Sequence, residues 1–209
     1  MRVITGYARG CRLETLAGDD TRPTGERVKE ALCSILQFEM EGRMVLDLFA
    51  GSGQMGLEML SRGAAGCVFV DRNPEAVALI RRNLNAVAKR EAALARNAQV
   101  LNRDAMAYLG RSKDRFDIAF LDPPYAAGLL EPALKETARH MNPGGVIVCE
   151  SDAGLTLPDR AGDFTLERTY RYGRVLLWLY RWQDMCAETE LLTEEEPPRQ
   201  SPEKGRAQK

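Results

Sequence analysis

Two stretches of this 209-residue chain combine reactive residue types with a spacing that lets them act together. The first is Val45-Leu46-Asp47-Leu48-Phe49-Ala50-Gly51-Ser52-Gly53-Gln54-Met55-Gly56, an apolar run leading into glycines spaced G-x-G-x-x-G. Glycines at that spacing let the backbone turn tightly and approach a nucleotide-like ligand between a strand and a helix. The pattern alone does not separate NAD from S-adenosylmethionine. Asp47, at the strand end before the glycines, is placed to face the cationic amino-acid end of the latter. Asp71 closes the next apolar run, Cys67 to Asp71, and suits the two ribose hydroxyls of either cofactor.

The second stretch is Asp122-Pro123-Pro124-Tyr125, which follows the apolar run from Asp117. Two prolines fix the backbone and contribute no N–H, so the carbonyls are left to accept. An amine attached to a nucleobase delocalises its lone pair into the ring and is a poor nucleophile. If Asp122 and the Pro123 carbonyl each accept one N–H, the lone pair is aimed outward toward an incoming methyl. Tyr125 offers a flat face for the base. No strong base is needed, because the amine becomes acidic once methylated; orientation and electrostatics carry the reaction. Asp-Pro-Pro is also a good strand stop in its own right, and the glycine motif upstream is what favours the chemical reading.

Asp104, after Val100-Leu101-Asn102-Arg103, suits an adenine amino group, with Ala105 beside it, and equally suits a helix N-cap. Other chemistries find no support. The single histidine, His140, is expected near a helix C-terminus in a solvated or dipole-complementing role. It pairs with no serine or cysteine nucleophile, and no histidine-bearing metal cluster is expected. None of the five cysteines stands beside the proline motif, as cytosine-C5 methylation would require.

The elements that must position these residues alternate. A small β-hairpin is expected over 1–20, and a helix over 24–40 with Thr24 as its N-cap and Val28, Ala31, Leu32, Ile35 and Leu36 on its apolar face. Strands follow at Met44 to Phe49, Cys67 to Asp71, around Val100, at Asp117 to Asp122 and at Val146 to Cys149. The intervening helices are Gln54 to Arg62, one opened by Asn73-Pro74-Glu75, and Leu129 to Met141 stopped by Asn142-Pro143-Gly144-Gly145. Phe164 to Trp182 reads as two strands turning at Tyr172-Gly173-Arg174, with Trp178 in the sheet core. Repeated strand–helix units predict an α/β fold with a mostly parallel sheet covered on both faces, one late strand running antiparallel. The expected organisation is an N-terminal extension over 1–22, a catalytic domain over 23–182 and a disordered acidic tail over 183–209.

Composition is that of an ordinary soluble globular protein, 44% hydrophobic and 28% charged. No run reaches the roughly 18 apolar residues of a membrane span, and the unpaired cysteine pattern fits buried thiols in a reducing compartment, so a cytoplasmic location is expected. The net charge of -1 hides an asymmetry: residues 1–182 hold 25 basic against 23 acidic side chains, and the tail holds 4 against 7. Six basic residues lie within the first 29, Arg2, Arg9, Arg12, Arg22, Arg27 and Lys29, a weak basic patch in which Arg9 and Arg12 are candidates for phosphate contact.

Thr21-Arg22-Pro23-Thr24, Arg27-Val28-Lys29-Glu30-Ala31-Leu32, the Asp47–Gly56 motif, Asp122–Tyr125 and Tyr172-Gly173-Arg174 occur in an order that resembles the bacterial 16S rRNA guanine-N2 methyltransferases acting on guanine 966. The resemblance covers residues 1–182. The glycine and proline motifs are common to many amino-methyltransferases, and the Thr-Arg-Pro-Thr helix start and compact length narrow it. It implies the class I, Rossmann-like methyltransferase fold with a seven-stranded sheet, S-adenosylmethionine as methyl donor, and 16S rRNA of the small ribosomal subunit as partner; no membrane or metal partner and a monomeric state are expected beside it. By motif position it also implies Asp47, Gly51, Gly53, Asp71 and Asp104 at the cofactor, Asp122, Pro123 and Tyr125 at the target amine, and Arg22 and Thr24 near the cofactor or flipped base. Cys33 replaces the aromatic residue usual in the family. Three rival readings stand beside this one. They are a DNA adenine-N6 methyltransferase with the same acceptor geometry, a nucleotide-binding dehydrogenase-like module, and a non-catalytic RNA-binding assembly factor.

Overall fold

The computed structural model describes residues 1–15, 23–124 and 128–184; in the first turns of the helix from Pro23, the side chains of residues 23–27 and 29 lie outside that set. Among these residues the elements run α1 (Pro23–Ile35), β1 (Met44–Leu48), α2 (Gln54–Ser61), β2 (Gly66–Asp71), α3 (Pro74–Ala88), α4 (Ala92–Arg96), β3 (Ala98–Asn102), α5 (Ala105–Leu109), β4 (Phe116–Leu121), α6 (Leu130–Ala138), β5 (Met141–Asp152), β6 (Arg160–Ala161), β7 (Phe164–Tyr172) and β8 (Val175–Trp182). One sheet holds all the strands in the order β3-β2-β1-β4-β5-β8-β7-β6. β3, β2, β1, β4 and β5 are mutually parallel, and β8 enters antiparallel between β5 and β7.

Both faces are covered, and the central strands are apolar on both sides for that reason. Val45, Phe69, Ile118, Phe120 and Val148 pack toward α1, α2, α3 and the N-terminal segment. Leu46, Leu48, Val70, Leu121, Ile147 and Cys149 pack toward α5 and α6. Side chains alternate along each strand, so consecutive residues fall in different clusters.

Local chemistry sets the helix starts. Asn73 caps α3 by accepting the Glu75 N–H at 2.9 Å, with Pro74 at the first helical position. Asp104 caps α5 through the Ala107 N–H at 3.0 Å.

Several expectations are corrected. The sheet has eight strands, not seven, and β6 as well as β8 opposes the parallel group; β6 spans only two residues and pairs with the start of β7, too short a signal to read from periodicity. The first helix begins at Pro23, so Thr24 falls inside its first turn instead of capping it, and it ends at Ile35 because residues 36–39 tighten into turns. Asn142 to Gly145 do not separate helix from strand. Met141 pairs with Phe116 and Val146 with Ile118, so the residues between bulge out of a strand already begun. The N-terminal hairpin reduces to one antiparallel bridge, Arg2 with Arg12, extended by the Val3 N–H donating to the Cys11 carbonyl and the Gly10 N–H to the Val3 carbonyl. His140 is buried with Nδ1 against the Asp114 carbonyl at 3.2 Å. Residues 185–209, and with them Cys186 and nearly all of the expected tail, lie outside the described residues. No described helix is long and apolar enough to cross a membrane.

Candidate active site

In a parallel sheet ligands gather at the carboxyl edge, where the strand order reverses direction. Here that point lies between β1 and β4, since the chain builds outward through β2 and β3 on one side and through β5 on the other. β1 ends in the glycine turn and β4 ends at Asp122, and Leu48 stands opposite Leu121 in the pairing. The two motifs therefore emerge from neighbouring strands, about 4.8 Å apart. They line one cavity of about 390 Å³, whose wall includes Phe49 and Gly51 from the first motif, Asp71 and Arg72 after β2, Asp104 and Ala105 after β3, and Asp122, Pro123 and Pro124 after β4.

The glycine turn is held by carboxylates. Asp71 Oδ2 accepts the Gly51 N–H at 2.8 Å while its Oδ1 accepts the Asn73 N–H at 2.8 Å. Asp47 is 2% exposed and sits beneath the turn, where Oδ2 accepts the Gly56 N–H at 2.9 Å from the first turn of α2. Asp47 and Gly53 are thus set behind the cavity wall, because the amides at the start of α2 need an acceptor that the strand end supplies. Burial, and then the Asp47 charge, push the Cys67 thiol up and keep it neutral. At Gly56 a β-carbon would stand 2.3 Å from Phe69 Cε1 and 2.6 Å from Cys67 Sγ, so this glycine sets how closely α2 lies on β2.

Phe49 adopts φ of 66°, the one described non-glycine residue in the left-handed region. A bulky side chain there costs about 1–3 kcal/mol, a strain that collects at ligand sites. Sequence reading passed over Phe49, because nothing in its residue type signals that conformation.

Two other groups were missed. Asn83, 1% exposed on α3, donates Nδ2 to the Ser52 carbonyl at 3.0 Å and to the Glu14 carbonyl at 3.1 Å, and accepts the Glu14 N–H at 2.8 Å. It ties the glycine turn to the N-terminal segment. Its place three residues after Ile80, on the apolar face of α3, was the available signal. Glu58, 2% exposed on α2, accepts the Ile4 N–H at 2.7 Å and the Thr5 N–H at 3.0 Å and pairs with Arg62 at 2.8 Å. Ser61 Oγ accepts the Ala8 N–H at 2.9 Å, and a β-carbon on Gly6 would stand 1.8 Å from the Ser61 carbonyl oxygen. Arg9 and Arg12 are exposed on this docked segment, away from the cavity wall. Tyr125 and Arg22 lie outside the described residues, as does the Thr24 side chain.

A second cavity, about 210 Å³, shares Pro123, Pro124 and Leu129 with the first and extends to the end of β5. Its wall includes Glu131, Glu150, Ser151 and Asp152. Among the described residues no group of His, Cys, Asp and Glu is arranged to hold a metal ion.

A parallel sheet with a reversal point, a carboxylate-braced glycine turn and an acid-proline corner sharing one cavity define a class I methyltransferase. The family described as conserved hypothetical protein 95 matches residues 1–181, and the chain belongs to that family. Ribosomal RNA small subunit methyltransferase D of Escherichia coli (strain K12) is 33% identical over 183 residues, covering 87% of this chain and 89% of its own length. YlbH of Bacillus subtilis (strain 168) is 37% identical over 186 residues, covering 87% and 98%. The solved structure of yhhF from Escherichia coli has a TM-score of 0.75 at 32% identity, covering 88% of this chain and 98% of that one.

Proposed function

We propose that the protein transfers a methyl group from S-adenosylmethionine to the exocyclic N2 amine of a guanine in 16S rRNA of the small ribosomal subunit, acting as a cytoplasmic monomer. One observation carries the reading: Asp122 and the glycine turn border the same cavity at the strand-order reversal.

The cavity suits the cofactor. Its wall offers the Asp71 carboxylate, each of whose oxygens keeps a lone pair beyond the backbone N–H it accepts, for the ribose hydroxyls. Asp104 and Ala105 border the place of the adenine, and Gly51 lets main chain approach the amino-acid end, with Gly53 completing the turn and Asp47 bracing it from below. When bound, S-adenosylmethionine supplies an electrophilic methyl on a sulfonium.

The chain's own residues then orient the acceptor. Asp122 and the Pro123 carbonyl each accept one N–H of the amine, which localises its lone pair, and Tyr125 stacks on the extruded base. The proton leaves a methylated amine already made acidic, so no residue need act as a strong base. The second cavity favours guanine over adenine. Guanine presents the N1–H beside its amine, whereas adenine presents an acceptor there; a wall carrying Glu131, Glu150 and Asp152 matches the donor edge. Arg22 and Thr24 complete the base side, and Arg9 and Arg12 contact RNA phosphate from the N-terminal segment.

Asp122→Ala is expected to reduce methyl transfer roughly a hundredfold or more while leaving S-adenosylmethionine affinity within severalfold; surviving turnover refutes the assigned chemistry. Mapping methylated nucleotides in 16S rRNA from cells lacking the protein identifies the target. An unchanged 16S pattern, with methylation of duplex DNA by the purified protein, establishes the adenine-N6 rival instead.

A further inference from the structure

The half of the hairpin β7–β8 nearest its turn carries a sequence that the methyl-transfer site does not use, Arg168-Thr169-Tyr170-Arg171-Tyr172-Gly173-Arg174, with three arginines, two tyrosines and no acid. Strand pairing fixes where this tip lies. β8 runs antiparallel to β5 with Val175 opposite Asp152 and Leu177 opposite Glu150, and Tyr172 of β7 stands opposite Val175. The Ala153 N–H donates to the Arg174 carbonyl at 2.8 Å. The tip is therefore at the carboxyl end of β5, the same sheet edge as Asp122 at the end of β4. With strands about 4.8 Å apart, β8 and β7 stand about 10 and 14 Å to the side of β4.

The charges at the two ends of the hairpin are treated differently. At the far end Arg181 is clasped by both oxygens of Glu39 at 2.6 Å and also pairs with Glu167, which raises its pKa further above the usual arginine range. Toward the turn, Arg168 at the middle of β7, Arg171 on the opposite face near its end and Arg174 in the turn itself are all exposed. Among the described residues Arg168 and Arg171 have no carboxylate within ion-pair distance. Arg174 reaches Asp152 only at 3.4 Å with its side chain 90% exposed, a contact of little strength. Arg168 lies over the Tyr170 ring at 5.7 Å, and Tyr170 and Tyr172 are half-buried against the core, which stiffens the strand that bears the arginines. Open cations interleaved with aromatic rings at one end of a rigid hairpin match a nucleic-acid backbone with unstacked bases.

We infer that the β7–β8 tip is an RNA-docking element, in which Arg168, Arg171 and Arg174 grip phosphates flanking the target nucleotide and hold the strand from which the base is extruded toward Asp122. This rests on the proposed action on rRNA, and it adds a second basic contact on the side of the site opposite the glycine turn.

The test compares wild type, the triple variant R168Q/R171Q/R174Q and the charge-retaining triple R168K/R171K/R174K. Each is assayed for S-adenosylmethionine affinity, methyl transfer to small-subunit particles, and binding of a protein-free 16S rRNA fragment across a salt series. The glutamine triple is expected to raise KM for the particle about tenfold or more, to leave kcat and cofactor affinity within twofold, and to flatten the salt dependence of RNA binding by about two to three ions. The lysine triple is expected to stay within about threefold of wild type. The inference is overturned if the glutamine triple binds and turns over like wild type, or if the lysine triple is equally impaired. A loss confined to the particle and absent on protein-free RNA also overturns it, in favour of a protein contact. Failure of the wild type to methylate the particle would count against the proposed function instead.

Discussion

The two corners that meet in the main cavity are built on opposite plans. After β1 the backbone is rich in N–H groups and is held by acids beneath and beside it, with Asp47 on the Gly56 amide and Asp71 on those of Gly51 and Asn73. After β4 two successive prolines remove the donors, and the pyrrolidine rings fix the backbone. One corner uses carboxylates to fix main chain. The other uses fixed main chain to present a carboxylate. Acids of the same type at neighbouring strand ends thus have different jobs, and the difference is set by whether the following residues can donate.

That contrast can be broken from either side. The largest effect is expected from Asp122→Asn, which keeps shape and replaces an acceptor with donors. It should lower kcat by roughly two to three orders of magnitude with folding stability and cofactor affinity unchanged, as read by single-turnover assay, calorimetry and thermal melting. Asp47→Ala should behave in the opposite way, lowering unfolding free energy by about 2–3 kcal/mol and weakening cofactor binding in parallel; a variant of normal stability that only loses turnover would erase the distinction. Gly56→Ala tests the same corner more gently. Its β-carbon collides with Phe69 and Cys67, so α2 must shift away from β2, at about 1–3 kcal/mol in denaturant titration.

The smallest effect lies away from both corners, at Asp114. Hydrogen bonds from Ser112 and Tyr108 hold its carboxyl below the usual carboxylate range. A depressed carboxylate stabilises the folded state fully above its unfolded pKa and loses that contribution as pH falls through the folded value. Asp114→Asn should therefore lower stability slightly at neutral pH, and the difference from wild type should shrink as pH drops below the unfolded value and vanish below the lower, folded one. An offset that persists in acid would show that the shift is not the source. The phenol of Tyr108, pushed up to about 12 first by burial, stays protonated throughout this range.

The glycine spacing, the proline corner and the strand–helix alternation were legible because each is a local pattern tied to one backbone requirement. Asn73-Pro74-Glu75 opened a helix where its cap chemistry said it would, and Gly173 turned the last hairpin. What sequence could not supply was partnership. Asp47 reads as a ligand-facing acid until α2 is laid over it and its oxygen meets the Gly56 amide. Glu58 and Asn83 look like ordinary helix polar residues, and only the return of the N-terminal segment gives them more than fifty residues of separation to bridge. The extra strand β6 and the bulge in β5 were missed because two-residue pairing and a looped-out Asn-Pro-Gly-Gly leave no periodicity. The acid-proline corner is the exception. Its geometry is inscribed in covalent rings, so it reads the same before and after folding.

The placement of β8 bears on how the molecule comes into being. The last described strand to leave the ribosome is not an edge strand but an interior one, slotted between β5 and β7. Until Trp182 has emerged, β5 presents an unpaired flank beside Asp122, and the paired β6 and β7 have no strand linking them to the rest of the sheet. Closure by so distant a partner is slow compared with local helix formation. A nascent chain stalled before Trp182 therefore carries both corners of the cavity but lacks the strand that seals the sheet beside them, so the sheet closes only once β8 is made.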